Sequence, residues 1–95
     1  MAYAITHHFP DGTEEQYRAA LAVVHPEDGG LPAGQSYHAA GPTEDGWMIV
    51  AVFDSKADWE RFRDQDLKPG LQSAVGAFPA PPQETAFEVA NLQQG

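Results

Sequence analysis

Residues 47–53 read WMIVAVF, and this stretch decides the fold. It is too short for a typical helix and is rich in residues that favour β-strands. In a strand, Trp47 and its alternate residues point to one side of the sheet, and Met48 and its alternates point to the other. Both sets are apolar, which is typical of a strand that is buried on two sides. The sequence therefore predicts a central strand here.

Upstream of this strand the sequence predicts one further strand and one helix. Ala2–Phe9 alternates in the manner of a strand, and Pro10–Gly12 supplies a turn. Thr13 and Gln16 form a capping box that starts the helix, because each side chain satisfies the other residue's free amide. The apolar stripe of this helix comprises Tyr17, Ala20, Leu21 and Val24. The dipeptide His25–Pro26 is expected to end it.

The segment between that helix and the central strand is predicted to hold a loop and a strand. Glu27–Gly34 is rich in glycine and acidic residues and shows no periodicity, so we expect a loop. Gln35–Ala40 is a strand candidate, and the glycine and proline residues within 41–46 supply a turn. The two strands should then pair as a hairpin.

After the central strand the pattern indicates a second helix. Ser55 and Asp58 resemble its N-terminal cap, and Asp54 is expected to help that cap rather than to act as a base. The predicted buried side of the helix comprises Trp59, Phe62 and Leu67. Lys68–Gly70 is expected to stop the helix, and residues 71–75 could add one short extra turn.

The last predicted elements complete a ferredoxin-like order. Pro79–Pro82 is expected to be an extended spacer, and Glu84–Ala90 alternates as a final strand. The order strand, helix, strand, strand, helix, strand is the split βαβ arrangement of an α+β domain with a four-stranded antiparallel sheet. At 95 residues, the chain is long enough for one such domain, spanning 1–95, and no more.

This fold predicts a homodimer joined through sheet faces. Two helices cover one face of the sheet, and no further segment of the chain is left to cover the other. The central strand nevertheless carries large apolar side chains on both faces. A second copy of the chain, packed sheet to sheet, is the simplest cover for the remaining face.

Composition excludes several classes of function. Five basic and fourteen acidic residues give a formal net charge of −9, which disfavours nucleic acid and anionic membranes as partners. With no cysteine, thiolate metal sites and thiol chemistry are excluded. Residues 1–10 lack a basic leader and no run approaches the length of a membrane span, so we expect a cytoplasmic protein.

The candidate catalytic residues are three histidines and a tyrosine. His7 and His8 are adjacent on a strand, so they point to opposite faces and at most one lines a given pocket. His38 is expected on a strand separated from the first by the central one, so a histidine pair bridging a small ligand is geometrically possible. Tyr37 is a candidate because its hydroxyl needs a partner at a sheet edge. Hydrogen-bonded or partly exposed structural histidines are the alternative.

Aromatic residues are predicted to line a pocket for a planar ligand. The candidates are Tyr17, Trp47, Trp59 and Phe62. Core packing explains Trp59 and Phe62 as well as a pocket does. No metal-ligand spacing, nucleophile motif or nucleotide-binding loop is present, and we expect neither a metal nor a bound cofactor.

The chain resembles the dimeric α+β barrel superfamily, in particular its small members similar to antibiotic-biosynthesis monooxygenases. The resemblance covers Tyr3–Val89 and is carried by the element order, the opening AYAITHHFPDGTEEQY and the segment GWMIVAVFDSKADWERF. It implies two sheets packed into a shared barrel, with a pocket between the sheet and helices of each subunit. Quinone-forming monooxygenases without cofactors, haem-degrading enzymes, isomerases and proteins without known activity occur in that superfamily.

Two functions follow as expectations. The first is a monooxygenase, cofactor-independent or haem-linked, that acts on a small aromatic substrate in a sizeable cavity between sheet and helices. The second is a non-catalytic domain that binds a small hydrophobic molecule or assembles with itself. Haem degradation is disfavoured, because the resemblance implies a trio that includes an asparagine and the one asparagine, Asn91, lies in the tail.

Overall fold

The computed structural model describes residues 1–25 and 30–93, and it confirms the predicted element order. The strands are β1 (Tyr3–Pro10), β2 (Gln35–Thr43), β3 (Gly46–Phe53) and β4 (Gln83–Glu88). The helices are α1 (Glu14–Val24), α2 (Lys56–Phe62) and α3 (Lys68–Ser73), with a π-helical turn (Arg63–Leu67) that joins α2 to α3. The prediction of one domain over 1–95 stays a prediction.

The four strands form one antiparallel sheet in the order β2-β3-β1-β4, which is the ferredoxin-like α+β arrangement. β3 lies between β2 and β1, so the predicted central position of the WMIVAVF segment is confirmed. β1 is the second inner strand and pairs with both β3 and β4. Each edge of the sheet is therefore a strand that pairs on one side alone.

The capping box at the start of α1 is confirmed. The Thr13 hydroxyl accepts from the Gln16 backbone N–H at 3.2 Å, and the Gln16 side chain accepts from the Thr13 N–H at 3.1 Å. Tyr17 and Ala20 of the predicted stripe are buried against the sheet. The helix ends at His25, whose N–H donates to the Leu21 carbonyl. Pro26, and the first part of the predicted loop, lie outside the described residues.

The helices cover one face of the sheet, which we call the cavity face. The aromatic rings of Trp59 and Phe62 pack there on Ile5, Ala51 and Phe53. The described helices leave the opposite face, here called the open face, uncovered. By the strand register, the open face carries Ala4, Thr6, His8, Tyr37, Ala39, Met48, Val50, Val52, Thr85 and Phe87.

The prediction that Lys68–Gly70 stops the second helix is wrong. The chain stays helical to Ser73, because the π-helical turn places Pro69 in the first turn of α3, where a missing N–H costs least. Gly70 is needed for packing instead. A Cβ there would lie 2.7 Å from the Val24 side chain, so glycine allows α3 to approach α1 closely.

Two strand ends also differ from prediction. β2 continues to Thr43 rather than ending at Ala40, and Pro42 is tolerated in it because β2 is an edge strand. β4 begins at Gln83 and ends at Glu88. None of the helices among residues 1–25 and 30–93 has the length and apolar character needed to cross a membrane.

Candidate functional site

A cavity of about 340 Å³ lies between the cavity face of the sheet and the helices. Its walls are almost entirely apolar and come from all four strands and all three helices. Phe78, Pro81 and Pro82, from the link before β4, complete the lining. A dry cavity of about 150 Å³ is enough to bind benzene, so this space is large enough for a molecule of about two fused rings.

Aromatic side chains form a large part of the cavity wall. Of the residues predicted to line a pocket, Tyr17, Trp59 and Phe62 do line this cavity. Trp47 does not, because it is buried behind Tyr17, with the two ring centres 5.3 Å apart. Trp59 and Phe62 also belong to the main core cluster. The two interpretations of these residues, pocket and core, therefore both describe their position.

The first polar group in the cavity is a pair formed by His7 and Glu84. The residues face each other across β1 and β4, and His7 Nε2 lies 2.8 Å from Glu84 Oε1. The His7 ring also lies against Trp59, with centres 5.9 Å apart. Within the described residues, His7 Nδ1 has no hydrogen-bond partner, and it is not sealed inside the core. One ring nitrogen is thus fixed by a carboxylate and the other is available.

The second polar group is a chain of hydrogen bonds centred on His38. Its Nδ1 lies 3.1 Å from Gln35 Oε1 and its Nε2 lies 2.7 Å from the Tyr17 hydroxyl. An amide oxygen can only accept, so the Nδ1 carries the proton, and the Tyr17 O–H donates to Nε2. Both nitrogens of His38 are therefore occupied by the protein itself.

Burial keeps this second group neutral. Desolvation, together with the nearby His25 ring, lowers the pKa of His38 to about 4. The His25 ring packs edge-on against His38 at 4.7 Å, and burial lowers the pKa of His25 as well. Burial also raises the pKa of Tyr17. At neutral pH this end of the cavity therefore offers hydrogen-bonding dipoles without charge.

A β-bulge in β2 creates the His38 group. Gln35 pairs with Phe53 and Tyr37 with Val52, so Ser36 is the extra residue and the alternation of side chains shifts there. Without the bulge, Gln35 and His38 would point to opposite faces. With it, both point into the cavity and hydrogen-bond to each other, while Tyr37 is turned to the open face.

The remaining two catalytic candidates, His8 and Tyr37, do not line the cavity. His8 lies on the open face, where its Nδ1 lies 3.1 Å from Gln83 Oε1 and its Nε2 lies 3.0 Å from Asp45 Oδ1. The Gln83 hydrogen bond, supported by Asp45, raises the pKa of His8. Tyr37 is 44% exposed on the same face. The predicted opposite orientation of His7 and His8 is confirmed.

Several cavity residues were not among the sequence candidates, and four of them bear on the chemistry or the shape of the site: Gln35, His25, Phe78 and Glu84. Glu84 lies within the strand that the sequence predicts last, but its place beside His7 depends on the register of β1 and β4. The Gln35 side chain points into the cavity because of the β-bulge in β2. The His25 side chain reaches it because α1 ends there. No local sequence pattern predicts that either side chain lies in the cavity.

Polar and charged side chains from Ser55 to Lys68 cap α2 or form ion pairs with one another. Ser55 caps α2 by accepting from the Asp58 N–H at 3.1 Å, as predicted, while Asp54 lies exposed outside the cap. Arg61 pairs with Asp58 one turn apart, and Lys68 Nζ lies 3.7 Å from Asp64 Oδ1. Within residues 1–25 and 30–93, no three acidic or histidine side chains gather in a way that could hold a metal ion.

Solved structures share this fold across nearly the whole chain. Rv0793 from Mycobacterium tuberculosis superposes with a TM-score of 0.68 at 11% identity, covering 98% of both chains. A protein assigned as an antibiotic biosynthesis monooxygenase from Chloroflexus aurantiacus gives a TM-score of 0.68 at 13% identity, covering 99% of this chain and 98% of its own. The fold is therefore that of proteins similar to antibiotic-biosynthesis monooxygenases, as predicted.

A third structure with this fold contains a ligand. It is the monooxygenase from the gene ActVA-Orf6 of Streptomyces coelicolor, in complex with nanaomycin D. Its TM-score is 0.58 at 16% identity, and the match covers 99% of this chain and 91% of that one. No protein-family model matches the sequence, and no curated protein matches it. At these identities the likeness is one of fold.

Proposed function

We propose that this protein is a monooxygenase that binds a small planar hydroxylated aromatic molecule in the cavity and oxidises it with O₂. The observation that carries the proposal is the aromatic-walled cavity of about 340 Å³ with an available imidazole nitrogen in its wall. Such a cavity is what the enzyme hypothesis required, and a filled space would have ruled it out. The named monooxygenases of the same fold add support.

The reaction needs no bound cofactor because the substrate itself supplies the electrons. Loss of the phenolic proton leaves an electron-rich aryloxide, which reduces O₂. One oxygen atom enters the ring as the second carbonyl of a quinone, and the other leaves as water with the two hydrogens that the substrate loses. In balance, a phenol and O₂ give a quinone and H₂O. An apolar cavity favours this course, since it excludes water from the reacting pair.

A second candidate function is binding without catalysis. It is favoured by the Tyr17–His38–Gln35 chain, in which each group satisfies another group of the protein and none is free for a reaction. A polar end of this kind would orient a ligand hydroxyl and do no more. Both functions predict binding, and the enzyme alone predicts consumption of O₂.

The experiment uses 1-naphthol, a two-ring phenol that fits the volume. Purified protein is first examined by native mass spectrometry for a retained ligand, and binding of 1-naphthol is then followed by quenching of tryptophan fluorescence. O₂ uptake is measured with an oxygen electrode, and the quinone by its absorbance. Saturable quenching together with protein-dependent O₂ uptake supports the monooxygenase. Saturable quenching without O₂ uptake supports the binding protein, and absence of quenching contradicts both.

We also propose that two copies of the chain join through their open faces. Ala4 and Val52 form the apolar floor of that face, and Phe87 at its edge is 51% exposed. Covering several hundred Å² of apolar surface is worth on the order of 10 kcal/mol before the cost of association. Sedimentation equilibrium at micromolar concentration should give the mass of a dimer. A stable monomer over that range would contradict the proposal.

A further inference from the structure

We infer that the pair of His7 and Glu84 is the base of this site: His7 Nδ1 takes the phenolic proton of the bound aromatic, and Glu84 holds the ring in position. This inference rests on the proposed function and assigns a residue to its first step. In that step the substrate O–H bond breaks, its electron pair stays on oxygen, and an N–H bond forms at Nδ1. The substrate leaves the step as an aryloxide and His7 as an imidazolium.

The hydrogen bonds decide between the two histidines of the cavity. His38 donates from Nδ1 to Gln35 and accepts at Nε2 from Tyr17, so it has no lone pair for a substrate. His7 uses Nε2 alone, at 2.8 Å from Glu84 Oε1. A carboxylate accepts, so Nε2 is the nitrogen that donates, and in the neutral ring the lone pair lies on Nδ1. His7 is therefore the cavity histidine that is poised to accept a proton.

The surroundings of His7 suit the charge that it would gain. Glu84 is the one carboxylate among the described residues that line the cavity, and the remaining charged side chains of the lining are Arg63 and Lys68. A positive imidazolium beside Glu84 is stabilised, as in catalytic triads where a carboxylate orients a histidine. Trp59, with its ring centre 5.9 Å from that of His7, supplies a flat surface on which the substrate ring would lie next to the base.

The kinetic test compares His7→Gln with His8→Gln. The two histidines are neighbours on β1, each beside an acidic residue, but His8 faces away from the cavity. General bases contribute about 10²- to 10⁴-fold to rate, so His7→Gln should lower the turnover of 1-naphthol at least ~100-fold and leave its dissociation constant within a few-fold. His8→Gln should keep the wild-type turnover.

Chemical rescue separates a base from a structural residue. In His7→Ala, added imidazole should restore turnover, while pyrazole, a ring of the same shape and far weaker basicity, should not. Equal rescue by both rings would show that the site needs volume rather than a base, and would overturn the inference. So would a His7→Gln enzyme with turnover within a few-fold of wild type.

Nitrogen NMR tests the pair even without turnover. In ¹⁵N-labelled wild-type protein, His7 should be the tautomer with a bare Nδ1, and 1-naphthol should shift that nitrogen on binding. In Glu84→Gln the amide can present a donor or an acceptor, so a mixture of tautomers is expected. Binding with no change at Nδ1 overturns the inference and leaves the proposed binding intact. Failure of O₂ uptake, with Nδ1 shifted, overturns the proposed oxidation alone.

Discussion

The two faces of the sheet shift the pKa of a histidine in opposite directions. On the cavity face, His38 donates one hydrogen bond and accepts one, which a neutral ring satisfies completely. On the open face, both nitrogens of His8 meet acceptors, Gln83 and Asp45, which a protonated ring satisfies best. Burial under the helices favours the first arrangement, and the acceptors Gln83 and Asp45 beside His8 favour the second. The polar groups around each histidine therefore differ between the two faces, although both faces carry apolar side chains.

The largest expected effect is on the free energy of unfolding, when one phenylalanine ring is removed from each face. Phe53 on the cavity face is 0% exposed, whereas Phe87 on the open face is 51% exposed. Phe53→Ala should lower the free energy of unfolding by about 3 to 5 kcal/mol, because it removes a fully buried ring and leaves a void. Phe87→Ala should lower it by less than about 1 kcal/mol in the monomer. Urea denaturation at low protein concentration measures both.

The next effect concerns association. Val50 lies on the open face and is only partly buried within its own chain. Val50→Asp would place a carboxylate twice in a symmetric dimer interface, so the dissociation constant should rise about 100-fold, or about 2.7 kcal/mol. Ala57→Asp, on the exposed side of α2, is the matched control and should leave the dimer intact. Sedimentation equilibrium measures both, and equal dissociation constants would contradict the open face as interface.

These two faces also show what the sequence could and could not predict. The period of two in residues 47–53, the capping box at Thr13 and the N-terminal cap at Ser55 act locally, so they predicted the strand and the starts of two helices correctly. Lys68–Gly70 misled the prediction because its effect depends on a π-helical turn before it and on the packing of α3 against α1.

The candidate site was predictable in part for the same reason. Alternation along β1 places His7 opposite to His8, and a sequence shows that directly. Alternation fails in β2, since the bulge at Ser36 turns Tyr37 away from the cavity and joins Gln35 to His38. The partner of His7, Glu84, is 77 residues away and becomes its neighbour only through the β1–β4 register. The pairing register of two strands that are distant in sequence cannot be predicted from any short segment.

A smaller effect is expected in the pH dependence of stability. Burial lowers the pKa of His38 to about 4, against 6.5 when unfolded, so the unfolded chain binds a proton first as the pH falls. His38 therefore stabilises the fold above pH 6.5, and this contribution is lost as the pH falls toward 4. Between pH 7 and pH 5 the loss should be about 1 kcal/mol, after allowance for partial solvent exposure.

The test is the urea midpoint of wild type and His38→Gln across that range. In His38→Gln the urea midpoint should change less steeply with pH than in wild type. His25 faces His38 and also has a lowered pKa, so part of the slope should remain in the single variant and disappear in the double variant with His25→Gln. Identical slopes in wild type and the double variant would show that this end of the cavity is not neutral.

The smallest expected effect is the contribution of His8, on the open face, to the pH dependence of stability. Its sign should be opposite to that of His38. The hydrogen bond to Gln83, with Asp45 beside it, raises the pKa of His8, so the folded chain holds this proton at a pH where the unfolded chain has released it. His8 therefore stabilises the fold below pH 6.5, and the contribution is lost as the pH rises through its folded pKa.

His8→Gln should lower the urea midpoint slightly at pH 6 and leave it unchanged at pH 8. Asp45→Asn should give the same loss at pH 6 and a further loss that persists at pH 8, because it also weakens the hydrogen bond that Asp45 Oδ1 accepts from Thr43. A loss in both variants that is equal at the two pH values would show that His8 contributes through packing, and the contrast between the two faces would then be one of burial alone.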